Sequence, residues 1–336
     1  METTMSALSR FVLLLFLSMA TLSTALAQPA TDAASNYPSR QIRIVYPYAA
    51  GGPGDIVARI VAAELSKRWH QSVIVETKPG AGGNIAMDYV ARSRPDGYTL
   101  VVAPTANLVI NQHLYPNLHY DPFKNFTPLT LMVSIDNMLV VNDSIPAHNV
   151  KELAAYAKAN PGKLTYGSSG IGTQPHLAGE MFKRATGIDM LHVPYNGTAD
   201  ATTAILGGHI TALFTQVSAV APLIKAGKLH AIGIGSDKRS PLLPNVPTLQ
   251  EQGQGLTGFE AVSIYALMAP SGTPAPVVKK LSAEVIAILH TPAVEKKITG
   301  MGMNVVADTP EQLAELMRKE SARYAKIIKD EKIKLQ

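Results

Sequence analysis

The amino-acid sequence predicts an α/β protein of two lobes with a cleft between them. Short β-type runs alternate with amphipathic helical segments along the chain, which is typical of βα units and mostly parallel sheets. The chain has 336 residues, 46% of them hydrophobic and 16% charged, which is enough for two domains with buried cores. Two glycine-rich loops, one in each half, each follow a predicted strand and precede a predicted helix.

The N-terminal segment has the features of a cleavable export signal. Arg10 precedes an apolar run over residues 11–22, and residues 25–27 (Ala-Leu-Ala) fit the small-x-small pattern of a signal peptidase site. The apolar run is shorter than the ~20 residues that span a bilayer. We therefore expect residues 1–27 to be a signal peptide and the mature protein to reside in the periplasm.

In the first half of the chain, three predicted strands alternate with two predicted helices. The strands are residues 41–46, 73–76 and 98–103. The first helix is indicated by apolar residues at helical spacing from Ile56 to Leu65, and the second covers residues 84–93. Residues 131–141 then contain two apolar, strand-like pieces separated by Ser134, Asp136 and Asn137. We interpret this segment as a first crossing between lobes, with residues 37–136 in lobe 1 and residues 137–260 in lobe 2.

Lobe 2 is predicted to begin with a helix whose first turn has capping-box spacing, Asn149 with Glu152. After it, strands at residues 164–167, 192–195, 211–215 and 229–235 alternate with helices from Pro175, over 198–206 and over 217–225.

The last part of the chain predicts a return to lobe 1. A strand at residues 262–268 precedes long amphipathic helices over residues 274–290 and 310–333, both with Thr-Pro starts. These helices need a surface on which to pack, so we assign residues 261–336 to lobe 1. Two crossing strands form a hinge, and a hinge between two lobes forms a cleft.

The first glycine-rich loop covers residues 48–55. Its glycines allow the backbone to approach a ligand, and the helix start behind it supplies free N–H groups and a partial positive charge for an anion. The alternative is a tight turn that uses glycine for geometry alone. An acidic side chain would repel an anion, so capping of the helix is the first interpretation of Asp55. The candidate ligand contacts are Tyr48, Ala50, Gly51, Gly52 and Asp55.

The second loop, residues 167–176, has the same design in the other lobe, with hydroxyls and glycines before Pro175. The alternative is a helix start capped by serine or threonine, and a histidine at such a place is more often structural than a ligand contact. The candidates in this loop are Ser168, Ser169, Thr173 and His176. Weaker candidates are Tyr195 in the turn of residues 193–198, Thr215 with Gln216 at a strand end, Thr105, and residues 82–84.

Composition and charge argue against several kinds of site and partner. The chain has no cysteine, so we expect no disulfide and no thiolate metal site. The net charge is +5, but the basic residues are dispersed, which speaks against a nucleic-acid partner and allows only mild steering of anionic ligands. The nine histidines have no metal-ligand spacing. We expect no metal, no cofactor and a monomer.

A series of motifs in order along the chain resembles one known family. The motifs are Ala49-Ala50-Gly51-Gly52 with Asp55, Pro79-Gly80-Ala81-Gly82-Gly83-Asn84, Pro95-Asp96-Gly97-Tyr98, Gly167-Ser168-Ser169-Gly170, His192-Val193-Pro194-Tyr195 and Pro244-Asn245-Val246-Pro247-Thr248. They are similar to those of the substrate-binding proteins of tripartite tricarboxylate transporters, the Bug family.

The resemblance implies a Venus-flytrap fold of the periplasmic-binding-protein type. It also implies a small carboxylate ligand held by backbone amides, hydroxyls and water from the two loops, and membrane permease subunits as partners. This sequence departs from the family at Thr215-Gln216, where an acidic residue followed by Asn is common. That departure disfavours an amino-acid ligand.

An enzyme is the less favoured alternative. The glycine loop lacks the Lys and Ser/Thr of a Walker motif, and Ile171 occupies the last glycine position of a nucleophile elbow at Ser168-Ser169. A hydrolase assembled from distant residues stays open, as does a periplasmic sensor subunit that presents its loaded form to a signalling receptor. The favoured function is capture of a small carboxylate for delivery to a membrane transporter.

Overall fold

The computed structural model describes residues 36–330 and residue 333. The predicted signal peptide, residues 1–27, lies outside these residues. The elements up to the first crossing are β1 (Ile42–Tyr46), α1 (Pro53–Trp69), β2 (Val73–Thr77), a 3-10 turn (Ala81–Gly83), α2 (Asn84–Ala91), β3 (Thr99–Pro104), a π-helical turn (Ala106–Ile110) and α3 (Asn111–Leu114).

The crossing strand and lobe 2 follow. Their elements are β4 (Phe126–Asn142), α4 (Val150–Ala159), β5 (Thr165–Ser168), α5 (Gln174–Thr186), β6 (Leu191–Pro194), α6 (Thr198–Leu206), β7 (Ala212–Gln216), α7 (Val217–Lys225), β8 (Leu229–Ile234) and a 3-10 turn (Gln250–Gln252). The chain returns through β9 (Val262–Pro270), α8 (Ala275–Leu289), α9 (Pro292–Thr299), β10 (Asn304–Val305) and α10 (Pro310–Asp330). Within the described ranges, no helix is both long and apolar enough to cross a membrane.

The strands form a mixed sheet in the order β2-β1-β3-β9-β4-β7-β5-β6, with β8 and β10 also paired to β4. In lobe 1, β1 is parallel to β2 and β3. In lobe 2, β5 is parallel to β6 and β7. The long strands β4 and β9 run antiparallel to their neighbours, so the mostly parallel βα units are joined by an antiparallel centre.

Helices cover both faces of the sheet in each lobe. In lobe 1, α1 and α8 share one core, and α2 and α10 share another on the opposite face. In lobe 2, α4 and α5 pack on one face, and α6 and α7 pack on the other. This coverage explains why the strands read as nearly continuous apolar runs, since both of their faces are buried.

Strand β4 is one continuous strand of 17 residues, which corrects the expectation of two separate pieces. The polar residues in its middle do not interrupt it because backbone pairing continues through them. Residues up to Asp136 pair with β9, whereas residues from Asn137 onward pair with β7. The strand therefore changes partners between these two residues and belongs to both lobes.

Three chain segments meet at this change of partner. The backbone N–H of Asn137 donates to the carbonyl of Ala261 at 3.0 Å, and its own carbonyl accepts from the N–H of Gly235 at 2.7 Å. The N–H of Ala261 in turn donates to the carbonyl of Gly235 at 2.6 Å. The two crossings between the lobes are thus hydrogen-bonded to each other.

Candidate functional site

A small cavity lies between the lobes, beyond the carboxyl ends of β1, β5 and β7, where open α/β sheets bind ligands. Lobe 1 contributes Tyr46, Tyr48, Pro104, Thr105, Ala106, Ser263 and Tyr265, and lobe 2 contributes Ser169, Thr173, Gln174, Pro175, Gly197, Thr198 and Gln216. Its volume is about 20 Å³, which is room for about one water molecule. The lobes are therefore closed on each other. We call this space the inner cavity.

Three helical segments begin at the inner cavity. The π-helical turn begins at Ala106, α5 begins at Gln174, and α6 begins at Thr198. The first N–H groups of a helical segment lack acceptors within it and carry a partial positive charge. No residue that lines the cavity has a charged side chain, so backbone dipoles and neutral donors set the electrostatics. Such a wall suits an anion.

Neutral side chains link the two lobes across this cavity. The Thr198 hydroxyl donates to Gln216 Oε1 at 2.8 Å. Gln216 Nε2 then donates across the lobes to Ser263 Oγ and to the Tyr265 hydroxyl, both at 3.4 Å. These last two bonds are long, and hydrogen bonds weaken with length. Gln216 can therefore exchange these partners for a ligand oxygen at low cost.

Two tyrosines of lobe 1, Tyr46 on β1 and Tyr265 on β9, complete the wall, and β3 lies between their strands. Burial raises the pKa of Tyr46 and of Tyr265, so both phenols stay protonated donors near neutral pH. Helix α1 approaches them closely, because a Cβ atom at Gly54 would lie 2.5 Å from the Tyr265 ring. Glycine at this position lets the helix start reach the tyrosines.

A residue at the crossing between the lobes is bonded directly to the cavity wall. Asn137 Nδ2 donates to Gln174 Oε1 at 2.7 Å and to Ser263 Oγ at 2.9 Å. It also donates to the carbonyl of Ala261 at 3.0 Å, and Asn137 is fully buried. One side chain thus connects the crossing strands with a wall residue from each lobe.

The first glycine-rich loop brings one of its candidates to the cavity. Tyr48 lines it, whereas Ala50 and Gly51 are exposed to solvent. Gly52 is the N-cap residue of α1, so Asp55 lies inside the first turn and does not cap the helix in the expected way. Its carboxylate accepts from the Gly51 N–H at 3.0 Å and pairs with Arg59 Nε at 3.0 Å. Asp55 therefore holds the shape of the loop.

The second loop brings Ser169 and Thr173 to the inner cavity. Ser168 is fully buried, and its Oγ lies 2.7 Å from His192 Nε2. His176 Nδ1 accepts from the Gly172 N–H at 3.1 Å. The structure therefore places Ser168 and His176 beneath the loop, where they support its backbone.

The two histidines stack with ring centroids 4.2 Å apart. Burial lowers the pKa of His176 to about 4 and that of His192 to about 3. Both rings are therefore neutral near pH 7, and His192 is a weak base. Activation of a serine nucleophile needs a stronger base and an accessible hydroxyl, so the Ser168–His192 pair fits structural support. Among the described residues, no group of His, Asp and Glu is arranged to hold a metal ion.

The remaining candidates divide between two places. Thr215 lies in β7 opposite Met138 and does not line the cavity, whereas its neighbour Gln216 does. Tyr195 lines a second cavity, of about 280 Å³, on the other side of Tyr48 and Ser169. We call this second space the outer cavity.

Three wall residues on strands that carry a side-chain hydroxyl were not proposed from the sequence. They are Tyr46, Ser263 and Tyr265. Residues two apart on a strand share a face, so Ser263 and Tyr265 in an otherwise apolar return strand are the signal that could have found them. The sequence predicts that Tyr46 is a core residue, since it ends a run of apolar residues.

The chain is similar to known proteins over most of its length. Residues 57–333 match the family described as "Tripartite tricarboxylate transporter family receptor". The periplasmic binding protein BugD is 36% identical, with a TM-score of 0.84 over 89% of this chain and 100% of BugD. MatC from Rhodopseudomonas palustris, solved with bound malate, is 33% identical, with a TM-score of 0.82 over 87% of this chain and 100% of MatC.

Another relative was solved with a different acid. An R. palustris protein with adipate is 33% identical, with a TM-score of 0.85 over 89% of this chain and 99% of that protein. These matches confirm the resemblance drawn from the motifs and the two-lobed periplasmic-binding-protein fold. The chain belongs to the tripartite tricarboxylate transporter receptor family, which includes the Bug proteins.

Proposed function

We propose that the mature chain is a periplasmic receptor that captures a small carboxylate in the inner cavity and delivers it to a membrane transporter. The observation that carries this proposal is the composition of the cavity wall. Helical segments from both lobes begin there, and none of the wall residues is charged. A carboxylate fits N–H groups and hydroxyls of this kind.

The closed cavity supports a mechanism in which the lobes open and close. Its volume of about 20 Å³ is too small for a multi-carbon acid, so a ligand needs the lobes to part first. We assign residues 37–136 and 261–336 to one moving body and residues 137–260 to the other. A ligand that contacts both lobes binds the closed form better and shifts the population toward it.

The proposed partners follow from the family. Permease subunits of a tripartite transporter would recognise the closed, loaded form, and the receptor itself acts as a monomer. A crosslink from the loaded receptor to a membrane permease supports delivery to a transporter. A crosslink to a membrane kinase would instead indicate that the protein is a sensor subunit.

The first experiment is a thermal-melt screen of residues 28–336 against mono-, di- and tricarboxylates, aromatic acids and amino acids. Ligand at about 100 times its Kd adds ~2.7 kcal/mol to the free energy of unfolding, which raises the Tm by several degrees. We expect a shift with at least one acid. No shift with any acid, from protein refolded to remove co-purified ligand, would contradict the proposal.

A pair of threonines on α6 tests whether the inner cavity is the binding site. The Thr198→Val substitution removes the hydroxyl that holds Gln216, so we expect the Kd of the best acid to rise by about threefold to tenfold. Thr202 lies one turn later, and its hydroxyl donates to the Thr198 carbonyl at 2.8 Å. Thr202→Val should change the Kd by less than about twofold. Equal effects on Kd, measured by calorimetry, would argue against this cavity.

A further inference from the structure

We propose that the outer cavity is a second subsite of the ligand-binding cleft and that it takes an aromatic ring, so that the ligand is an aromatic carboxylic acid. The inference rests on the proposed function, because the carboxylate of this ligand occupies the inner cavity. The outer cavity is about 280 Å³, close to the lower limit of ~300 Å³ for small-molecule pockets. It has room for a ring that the inner cavity lacks.

The position of the outer cavity makes it part of the same cleft. Lobe 1 supplies Tyr48, Tyr115 and residues 80–83, and lobe 2 supplies residues 169–171 and 194–196. Both cavities are lined by Tyr48 and Ser169. When the lobes part, this shared wall divides, because Tyr48 belongs to one lobe and Ser169 to the other. One ligand can then enter both cavities before the lobes close around it.

The contacts that close the outer cavity are weak enough to break. The Tyr115 hydroxyl donates to the carbonyl of Ile171 at 3.4 Å. The N–H of Ala49 donates to the carbonyl of Asn196 at 3.3 Å. These interlobe bonds lie at the long end of the hydrogen-bond range. Opening on the outer side therefore costs little.

The chemistry of the outer wall favours a ring over a second charged group. Its three aromatic side chains are Tyr48, Tyr115 and Tyr195, and none of its lining residues carries a charge. Aromatic side chains pack against ligand rings in stacked or edge-to-face geometry. The faces of these rings carry partial negative charge, so they attract the edge of a ligand ring and repel a second carboxylate.

The structure holds this aromatic wall in place. The Tyr48 hydroxyl donates to the carbonyl of Gly82 at 3.2 Å and to Asn107 Oδ1 at 3.4 Å. The same Gly82 carbonyl accepts from Asn107 Nδ2 at 3.1 Å and from Asn111 Nδ2 at 3.2 Å. The turn and the ring of Tyr48 are thus fixed before a ligand arrives, which reduces the ordering cost of binding.

The test compares acids that share a carboxylate and differ in the tail. Calorimetry on residues 28–336 would measure Kd for acetate, butyrate, hexanoate and phenylacetate, with malate and adipate as dicarboxylates. We expect phenylacetate to bind at least about tenfold more tightly than acetate and several-fold more tightly than hexanoate, because the ring packs against tyrosines. Tyr115→Leu and Tyr195→Leu should each reduce this preference for phenylacetate.

Tyr89 provides the matched control, since it is a half-exposed tyrosine of α2 outside both cavities. Tyr89→Leu should leave the ratio of the acetate and phenylacetate Kd values unchanged. If malate or adipate binds but phenylacetate binds no better than hexanoate, the ring subsite is wrong and the proposed function stands. An unchanged ratio in both cavity variants also overturns the subsite. If no acid binds, both the subsite and the proposed function are wrong.

Discussion

His176 and His192 show how single residues support the second glycine-rich loop from below. Neutral His176 accepts the Gly172 N–H, and His192 lies against the Ser168 hydroxyl. Neither ring touches the inner cavity. Their role depends on staying unprotonated, since a protonated Nδ1 cannot accept a hydrogen bond.

The lowered pKa of His176 predicts a loss of stability in acid. In the unfolded chain the histidine titrates near its ordinary pKa of 6.5, whereas the folded protein holds the pKa at about 4. The stabilisation is therefore complete above about pH 6.5 and is lost as the pH falls toward about 4. Near His176, Glu180 opposes this shift, and Lys183 reinforces it.

Urea unfolding of wild type and His176→Gln at about pH 7 and about pH 5 measures this effect. We expect the wild type to lose roughly 2 kcal/mol more than the variant across this interval. The glutamine keeps a hydrogen-bond acceptor but does not titrate. Equal losses in both proteins would show that the histidine protonates freely in the folded state.

At the scale of elements, β4 and its residue Asn137 connect the crossing strands with the ligand cavity. The Asn137 amide bonds Gln174 from lobe 2 and Ser263 from lobe 1, so we expect the proposed opening of the lobes to separate these partners. Substitution to leucine leaves these buried groups without their partner, at a cost of about 1–3 kcal/mol. The closed form loses this energy, whereas an open form exposes the groups to water.

Asn137→Leu should therefore weaken ligand binding by about tenfold or more. It should also increase the radius of gyration of the unliganded protein in X-ray scattering. Asn142 on the same strand is the control, because its Nδ2 donates to the Ile205 carbonyl within lobe 2. Asn142→Leu should lower the Tm without changing the radius of gyration. Identical scattering from both variants would show that Asn137 does not stabilise the closed form.

The sequence predicts elements better than it predicts the cavity wall. Helices α6 and α7 have their predicted bounds, and Asn149 accepts from the Glu152 N–H as expected. Local spacing determines these features. The elements α9 and β10 were not predicted, and β10 has only 2 residues, too few to show a strand pattern.

The site depends on distant residues, which limits prediction. The motifs located both loops, but they did not show that Ser168 turns inward toward His192, 24 residues away. Ser263 joins the wall only because β9 returns beside β4. The spacing of Ser263 and Tyr265 shows that they share a face of the strand, but it does not show which strand lies beside them.

At the scale of the whole molecule, charge and cavity have separate effects on binding. The net charge is +5, whereas no residue lining the inner cavity is charged. Long-range charge affects the association rate constant of an anion, and groups in the cavity determine its dissociation rate constant. Salt screens the first effect much more than the second.

Stopped-flow measurements at about 50 mM and about 500 mM salt should separate the two rate constants. We expect the association rate constant of the best acid to fall several-fold, because screening weakens the attraction between the protein and the anion. The dissociation rate constant should change by less than about twofold. A dissociation rate constant that rises steeply with salt would instead indicate that a charged side chain of the protein contacts the bound ligand.

The continuity of β4 has a consequence for how the protein unfolds. Strand β4 pairs with β9 on one side of Asn137 and with β7 and β8 on the other. If the sheet of one lobe unfolds, half of β4 loses its partners, and the other half is still needed in the sheet of the other lobe. We therefore expect the two lobes to unfold in a single cooperative transition, and we expect neither lobe to fold as a fragment cut from the chain.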